Sequence, residues 1–195
     1  YGLSDCPEIA PEPPQTLHGF INFGTLTNPY KYTRSTIETW AKVLKNTNNS
    51  QLTIVRPECK SQRFKENILS EFRKHNIGPE RLLLVDNQTR GIHALDCYNK
   101  IDVVLDTIPM TGGANSYEAL LMGVPIITIK GANYHQRITA ALVHETGLSD
   151  CIANSKVEYV EIATSMANNI NRLREIRIDA TPLRSIKGGL LDSLA

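Results

Sequence analysis

The stretch that decides the fold is IDVVLDTIPMTGGANSYEALLMGVPIITI, residues 101–129. It opens with an apolar run, passes through a loop holding two glycines, enters a helix-like segment at 115–122 and returns to a second apolar run. Val103-Val104-Leu105 and Ile126-Ile127-Thr128-Ile129 are apolar on successive rather than alternate residues. That pattern belongs to strands covered on both faces. Two such strands joined through a helix make a parallel pair with a crossover connection.

The same alternation extends outward to both ends. Strands are expected at Gly19–Phe23, Leu52–Val55, Arg81–Val85, Asp102–Asp106 and Pro125–Ile129. Helical patterns fill 35–46, 60–75, 90–100, 115–122, 134–146 and 156–176. In the first of these, Ile37, Trp40, Ala41 and Leu44 repeat at i, i+3, i+4 and i+7, with Ser35 and Glu38 spaced as a capping box. Ser155 and Glu158 repeat that spacing before the last helix, whose apolar side carries Tyr159, Ile162, Ala163, Met166, Ile170 and Leu173. Residues 1–17, with Pro7, Pro11, Pro13 and Pro14, read as an extended connector, and 18–195 as one lobe. The prediction is an α/β protein with a doubly wound, Rossmann-like parallel sheet.

Composition narrows the partners. Of 195 residues, 41% are apolar, enough for a packed core. The 21 basic and 20 acidic residues leave a net charge of +1, so no field attracts nucleic acid or an anionic membrane, and an anionic ligand needs a local site. Cys6, Cys59, Cys97 and Cys151 form no CxxC pair, and the five histidines show no ligand spacing. No metal centre is expected, and a reduced cytoplasmic setting follows. No apolar run reaches membrane-spanning length. The chain begins at Tyr1 without an initiator methionine, which reads as a fragment boundary.

In doubly wound sheets the ligand lies beyond the carboxyl ends of the strands, at helix N-termini. Two loops there have the right composition. In Ile108-Pro109-Met110-Thr111-Gly112-Gly113-Ala114-Asn115-Ser116, two glycines allow close approach to the backbone, and the free amides of the next helix suit a pyrophosphate. Glu118, in that helix's first turn, either reaches a ribose hydroxyl or caps its own helix with Asn115. In Phe23-Gly24-Thr25-Leu26-Thr27-Asn28-Pro29-Tyr30-Lys31, the lysine either neutralises a departing diphosphate or is a solvated surface cation. The loop lacks GxGxxG, against a dinucleotide fingerprint. A third stretch, Asn87-Gln88-Thr89-Arg90 with His93 beyond it, either surrounds a nucleobase or, as a histidine at a helix start usually does, only presents polar side chains to solvent.

Taken in order, these segments resemble the O-linked N-acetylglucosamine transferase and SPINDLY family. FGTLTNPYKYTRSTIETW (23–40) is similar to that family's F-G-S-F-N-N-x-x-K-I-T-P run and the helix after it. LDTIPMTGGANSYEALLMGVPIIT (105–128) resembles its L-D-T-x-P…E-x-L-x-M-G-V-P-x-V-T segment. RLLLVDNQTRGIH (81–93) and the tail at 147–177 are also similar to it.

The resemblance implies a two-lobed GT-B enzyme, with this chain as the C-terminal, donor-gripping lobe. It implies Lys31 as the group that contacts the donor diphosphate and assists its departure, with Asn28 three residues before it. It further implies Gln88, Arg90 and His93 around the nucleotide, Gly112, Gly113, Ala114, Asn115 and Ser116 as the phosphate turn, and Glu118 at the ribose. Gly113-Ala114-Asn115-Ser116 stand where relatives carry His-Thr-Thr or a threonine run. The implied reaction moves a sugar from UDP-GlcNAc or a related donor to a protein hydroxyl, without a divalent metal. A missing N-terminal lobe, often preceded by tetratricopeptide repeats, and a protein acceptor are the implied partners, and this piece alone would be inactive. GDP-fucose-dependent or Asn-directed transfer on the same fold, a non-catalytic nucleotide-sugar-binding module and a nucleotide-sugar epimerase are the alternatives.

Overall fold

The structure, a computed structural model, describes residues 7–88 and 94–180. Six parallel strands form one sheet in the order β3-β2-β1-β4-β5-β6. They are β1 (Ile21–Thr25), β2 (Ser50–Val55), β3 (Leu82–Val85), β4 (Val103–Leu105), β5 (Ile126–Ile129) and β6 (Ile152–Ala153). The chain winds outward through β1, β2 and β3, then returns to pair β4 beside β1 and winds the other way. The topology reverses between β1 and β4, and in sheets of this kind ligands bind beyond the carboxyl ends of the strands at such a point.

Seven α-helices complete the described fold: α1 (Pro14–His18), α2 (Arg34–Asn46), α3 (Gln62–Arg73), α4 (Ala114–Leu121), α5 (Ile138–Glu145), α6 (Lys156–Ala167) and α7 (Ile170–Asp179). The core lies between them and the sheet. β1 and β4 are buried along their whole length, as the unbroken apolar run of β4 requires. Trp40 of α2 and Tyr159 of α6 are fully buried and meet at the end of β4, where the Trp40 indole and the Tyr159 hydroxyl both donate to the Asp106 carbonyl, at 3.1 and 3.0 Å.

Several elements differ from the sequence reading. The first strand starts two residues later than expected, after Gly19, which ends α1 in the left-handed conformation (φ 74°). The expected connector 1–17 ends in that one-turn helix, whose proline-rich start suits a helix N-terminus. The helix expected at 90–100 lies partly outside the described residues, and its described part, Ala94–Lys100, is a 3₁₀ helix. The segment 134–146 divides into a 3₁₀ turn at Tyr134–Gln136 and α5. The long helix expected at 156–176 is two helices, because the Asn169 side chain accepts the Arg172 amide at 3.1 Å and starts α7 afresh.

Capping differs too. α2 is capped by Thr33, which accepts the Thr36 amide at 3.1 Å, leaving Ser35 inside the helix and Glu38 paired with Lys42 at 3.0 Å. Ser155 caps α6 as expected, but Glu158 accepts the Asn154 amide rather than that of Ser155.

Candidate functional site

Beyond the end of β4, the chain from Thr107 to Gly113 is organised around one buried carboxylate. Asp106 Oδ1 accepts the Thr107 and Gly112 amides at 2.9 and 2.8 Å, and Oδ2 accepts the Thr128 hydroxyl of β5 at 2.8 Å. Complete burial pushes the Asp106 carboxyl above its usual range, and the hydrogen bonds from Thr128 and the two amides oppose that rise. The loop is tied on its other sides as well. The Thr33 and Thr36 hydroxyls donate to the Ile108 carbonyl at 2.6 and 2.8 Å. The Thr111 amide and hydroxyl both reach the His135 carbonyl, in the loop after β5, at 3.3 and 3.1 Å.

The two glycines have separate jobs. A Cβ on Gly112 would overlap the Ser116 hydroxyl, so a larger residue here displaces the serine from Thr139. A Cβ on Gly113 would meet open space. Gly113 is the N-cap of α4 and supplies no side-chain cap. The amides of Gly113, Ala114 and Asn115 have no hydrogen-bond partner among the described residues. These successive N–H groups stand at the positive end of a helix dipole, an arrangement that can receive an anion.

Ser116 stands apart from its neighbours. Its hydroxyl is buried against that of Thr139 at 2.8 Å and its amide bonds to the Gly113 carbonyl at 3.0 Å. Glu118 does not serve as the cap that Asn115 spacing allowed. Its carboxylate accepts the Tyr98 hydroxyl at 3.3 Å and the Asn115 side-chain amide at 3.4 Å. Tyr98 is fully buried and also reaches the Asn115 carbonyl at 2.9 Å, fastening the 3₁₀ helix Ala94–Lys100 to the start of α4.

Lys31 faces this turn from the loop after β1. Its ammonium donates to the Thr111 carbonyl at 2.7 Å. The lysine ends a 3₁₀ turn, Pro29–Lys31, that Asn28 caps by accepting the Tyr30 amide at 3.2 Å. The same loop is braced by the Tyr32 hydroxyl on the Thr27 carbonyl at 2.9 Å and by Arg56, which reaches the Leu26 carbonyl at 3.3 Å.

Lys31, with Asn28 capping its turn, thus meets the loop that leads from β4 into α4 beside Gly112 and Gly113. Gln88 is exposed beyond β3, two strands away from β1, with its amide on the Asp86 carboxylate at 3.0 Å. Arg90 and His93 lie outside the described residues. The sequence reading missed Asp106, Thr33, Thr36, Thr128 and Tyr98 as the groups that hold the site. Asp106 alone closes an apolar run; Thr33, Thr36, Thr128 and Tyr98 carry no local pattern that marks them.

The family model described as Glycosyl transferase family 41 matches residues 14–192. The chain belongs to glycosyl transferase family 41.

Among curated relatives of this family-41 chain, a protein of Oryza sativa subsp. japonica named "Probable UDP-N-acetylglucosamine--peptide N-acetylglucosaminyltransferase SPINDLY" is 32% identical over 178 residues, 90% of this chain. The Arabidopsis thaliana protein of the same name is 27% identical over 96% of the chain. The chain spans about a fifth of the length of these relatives (19% and 21%). A mutant O-GlcNAc transferase of Thermobaculum terrenum superposes with a TM-score of 0.85 at 29% identity, covering 95% of this chain and 35% of that one. The C-terminal domain of a Glycosyl Transferase Group 1 Family Protein from Francisella tularensis superposes with a TM-score of 0.65 over 95% of this chain and 96% of its own, a likeness that at 12% identity concerns the fold alone. The family-41 chain is therefore a Rossmann-like, C-terminal type of lobe. Among the described residues, no helix is long and apolar enough to cross a membrane.

Proposed function

We propose that this chain is the donor-binding half of a protein glycosyltransferase that moves GlcNAc from a UDP-sugar to a serine or threonine hydroxyl. The observation that carries the reading is the pairing of three unengaged amides, Gly113 to Asn115, with the Lys31 ammonium on the facing loop. A diphosphate is the ligand such a pairing complements, with the helix end on one side and a mobile point charge on the other.

In this reading the acceptor hydroxyl oxygen bonds to the anomeric carbon while the bond from that carbon to the β-phosphate oxygen breaks, and the hydroxyl proton passes to the departing diphosphate. The electron pair leaves on the diphosphate, where the amides and Lys31 take up the growing charge. The ammonium has three donors, so it can keep the Thr111 carbonyl and still offer two to phosphate. Glu118 receives ribose hydroxyls, with Asn28 shaping the lysine turn. Gln88, Arg90 and His93 surround the base. No divalent metal is needed, so chelator leaves transfer unchanged. A partner lobe supplies much of the acceptor site, and this chain alone binds donor without transferring it. The buried free thiols Cys59, Cys97 and Cys151 fit a cytoplasmic setting.

The composition of the turn favours a second reading, a module that binds nucleotide sugar without turnover. The turn offers few side-chain donors, since Ser116 faces Thr139 and Asn115 faces Glu118. A donor screen on the full-length protein, scoring sugar attached to protein, separates the two. Transfer supports the enzyme, and binding without transfer supports the module. Calorimetry with UDP and GDP then decides between a UDP-sugar and GDP-fucose, and tighter GDP binding overturns the UDP assignment.

A further inference from the structure

We infer that Thr36 is a positioning residue for transfer, setting the distance between the Lys31 ammonium and the amide cradle. The inference rests on the proposed role of Lys31 at the departing diphosphate. Thr36 is fully buried at the start of α2. Its hydroxyl donates to the Ile108 carbonyl at 2.8 Å and accepts the Ile108 amide at 3.0 Å, so one side chain satisfies both backbone groups of one loop residue. Thr33, one turn earlier, adds a second donor to the same carbonyl at 2.6 Å. Two residues before Thr33, Lys31 meets Thr111, three residues beyond Ile108. The segments 31–36 and 108–111 are therefore joined by two parallel cross-connections, one bearing the charge and the other uncharged and buried.

Other groups already hold the start of the loop. Trp40 and Tyr159 bind the Asp106 carbonyl, and the Asp106 carboxylate reaches Thr107, Gly112 and Thr128. Thr36 adds the placement of the segment from Ile108 to Thr111 against the one that carries Lys31. Without the hydroxyl the two segments can slide, and a shift of about 1 Å in a catalytic group costs on the order of a hundredfold in rate.

The test uses the full-length protein with Thr36→Val, Thr36→Ser, Lys31→Ala and the double variant Thr36→Val/Lys31→Ala, reading kcat and donor KM for sugar transfer and the thermal midpoint. Thr36→Val, which keeps the side chain's size, is expected to lower kcat roughly ten- to a hundredfold. Thr36→Ser should restore most of that loss. Because Thr36 acts through the placement of Lys31, the Thr36→Val loss should shrink to less than about threefold when Lys31 is already alanine. An unchanged kcat in Thr36→Val, or an equal loss in both backgrounds, overturns the inference while leaving the role of Lys31 intact. A Lys31→Ala variant with normal turnover removes the role of Lys31 and the inference together. If Thr36→Val does not fold, Thr33→Ala removes the other donor to the Ile108 carbonyl, and the same non-additivity with Lys31 is required.

Discussion

Lys31 crosses from the loop after β1 to the loop after β4 and donates its ammonium to the carbonyl of Thr111 at 2.7 Å. The contact joins the two loops that flank the topological reversal of the sheet, and it sets a positive charge beside the helix end where Gly113, Ala114 and Asn115 present their amides.

Removing that charge is the first prediction. Lys31→Ala in the full-length protein should lower kcat for sugar transfer on the order of a hundredfold, the scale for losing one donor that stabilises developing anionic charge. Donor KM should change far less. Steady-state kinetics at saturating acceptor checks this, and turnover near normal contradicts it.

The two glycines should respond differently to the same substitution. Gly112→Ala drives a methyl onto the Ser116 hydroxyl, which is held in the core by Thr139, so the thermal midpoint should fall by several degrees. Gly113→Ala has open space for its Cβ and should leave folding nearly unchanged, while the added methyl stands where a nucleoside diphosphate would approach the amides and weakens its binding. Thermal unfolding with calorimetry on both variants checks the contrast, which equal effects would remove.

Asp106 is predicted to be a structural keystone. Asp106→Ala leaves the Thr107 and Gly112 amides and the Thr128 hydroxyl without their acceptor, at a cost on the order of 3 kcal/mol. Urea unfolding measures it, and a loss below about 1 kcal/mol, the worth of one ordinary hydrogen bond, contradicts the loop's dependence on this carboxylate.

The thiols give a pH dependence. Burial pushes Cys59 from an ordinary value of 9.0 up to about 11 and Cys151 up to about 12. Between pH 9 and 11 the unfolded chain therefore loses thiol protons that the folded chain keeps. The native state binds more protons there, so the stability fully present below pH 9 is lost as pH rises through that window. Burial moves the Tyr98 and Tyr159 phenols the same way. The urea midpoint should drop from pH 9 to 11, and by less in a Cys59→Ser/Cys151→Ser variant. A midpoint that is flat, or equally steep in the variant, contradicts this.

Much of the architecture was legible because it rests on local pattern. Val103–Leu105 and Ile126–Ile129 are apolar on consecutive residues, and both are parallel strands in the sheet interior. β6 was missed because two residues, Ile152 and Ala153, are too few to show a period. The break between α6 and α7 was hidden because Met166, Ile170 and Leu173 keep a helical spacing across it, while the asparagines at 168 and 169 that end one helix and start the next are also common in loops. In the site, glycines and a lysine could be picked out by chemistry. The residues that place them could not, because Thr36 and Ile108 meet across 72 residues of sequence, and no local spacing announces that a hydroxyl will find a carbonyl in another loop.

The most direct test is a crystal structure of the full-length protein with UDP. Diphosphate oxygens should lie within about 3.2 Å of the amides of Gly113, Ala114 and Asn115, with Lys31 Nζ in contact with the same phosphates. A diphosphate seated elsewhere, with those amides facing water and Lys31 still held only by the Thr111 carbonyl, would contradict it.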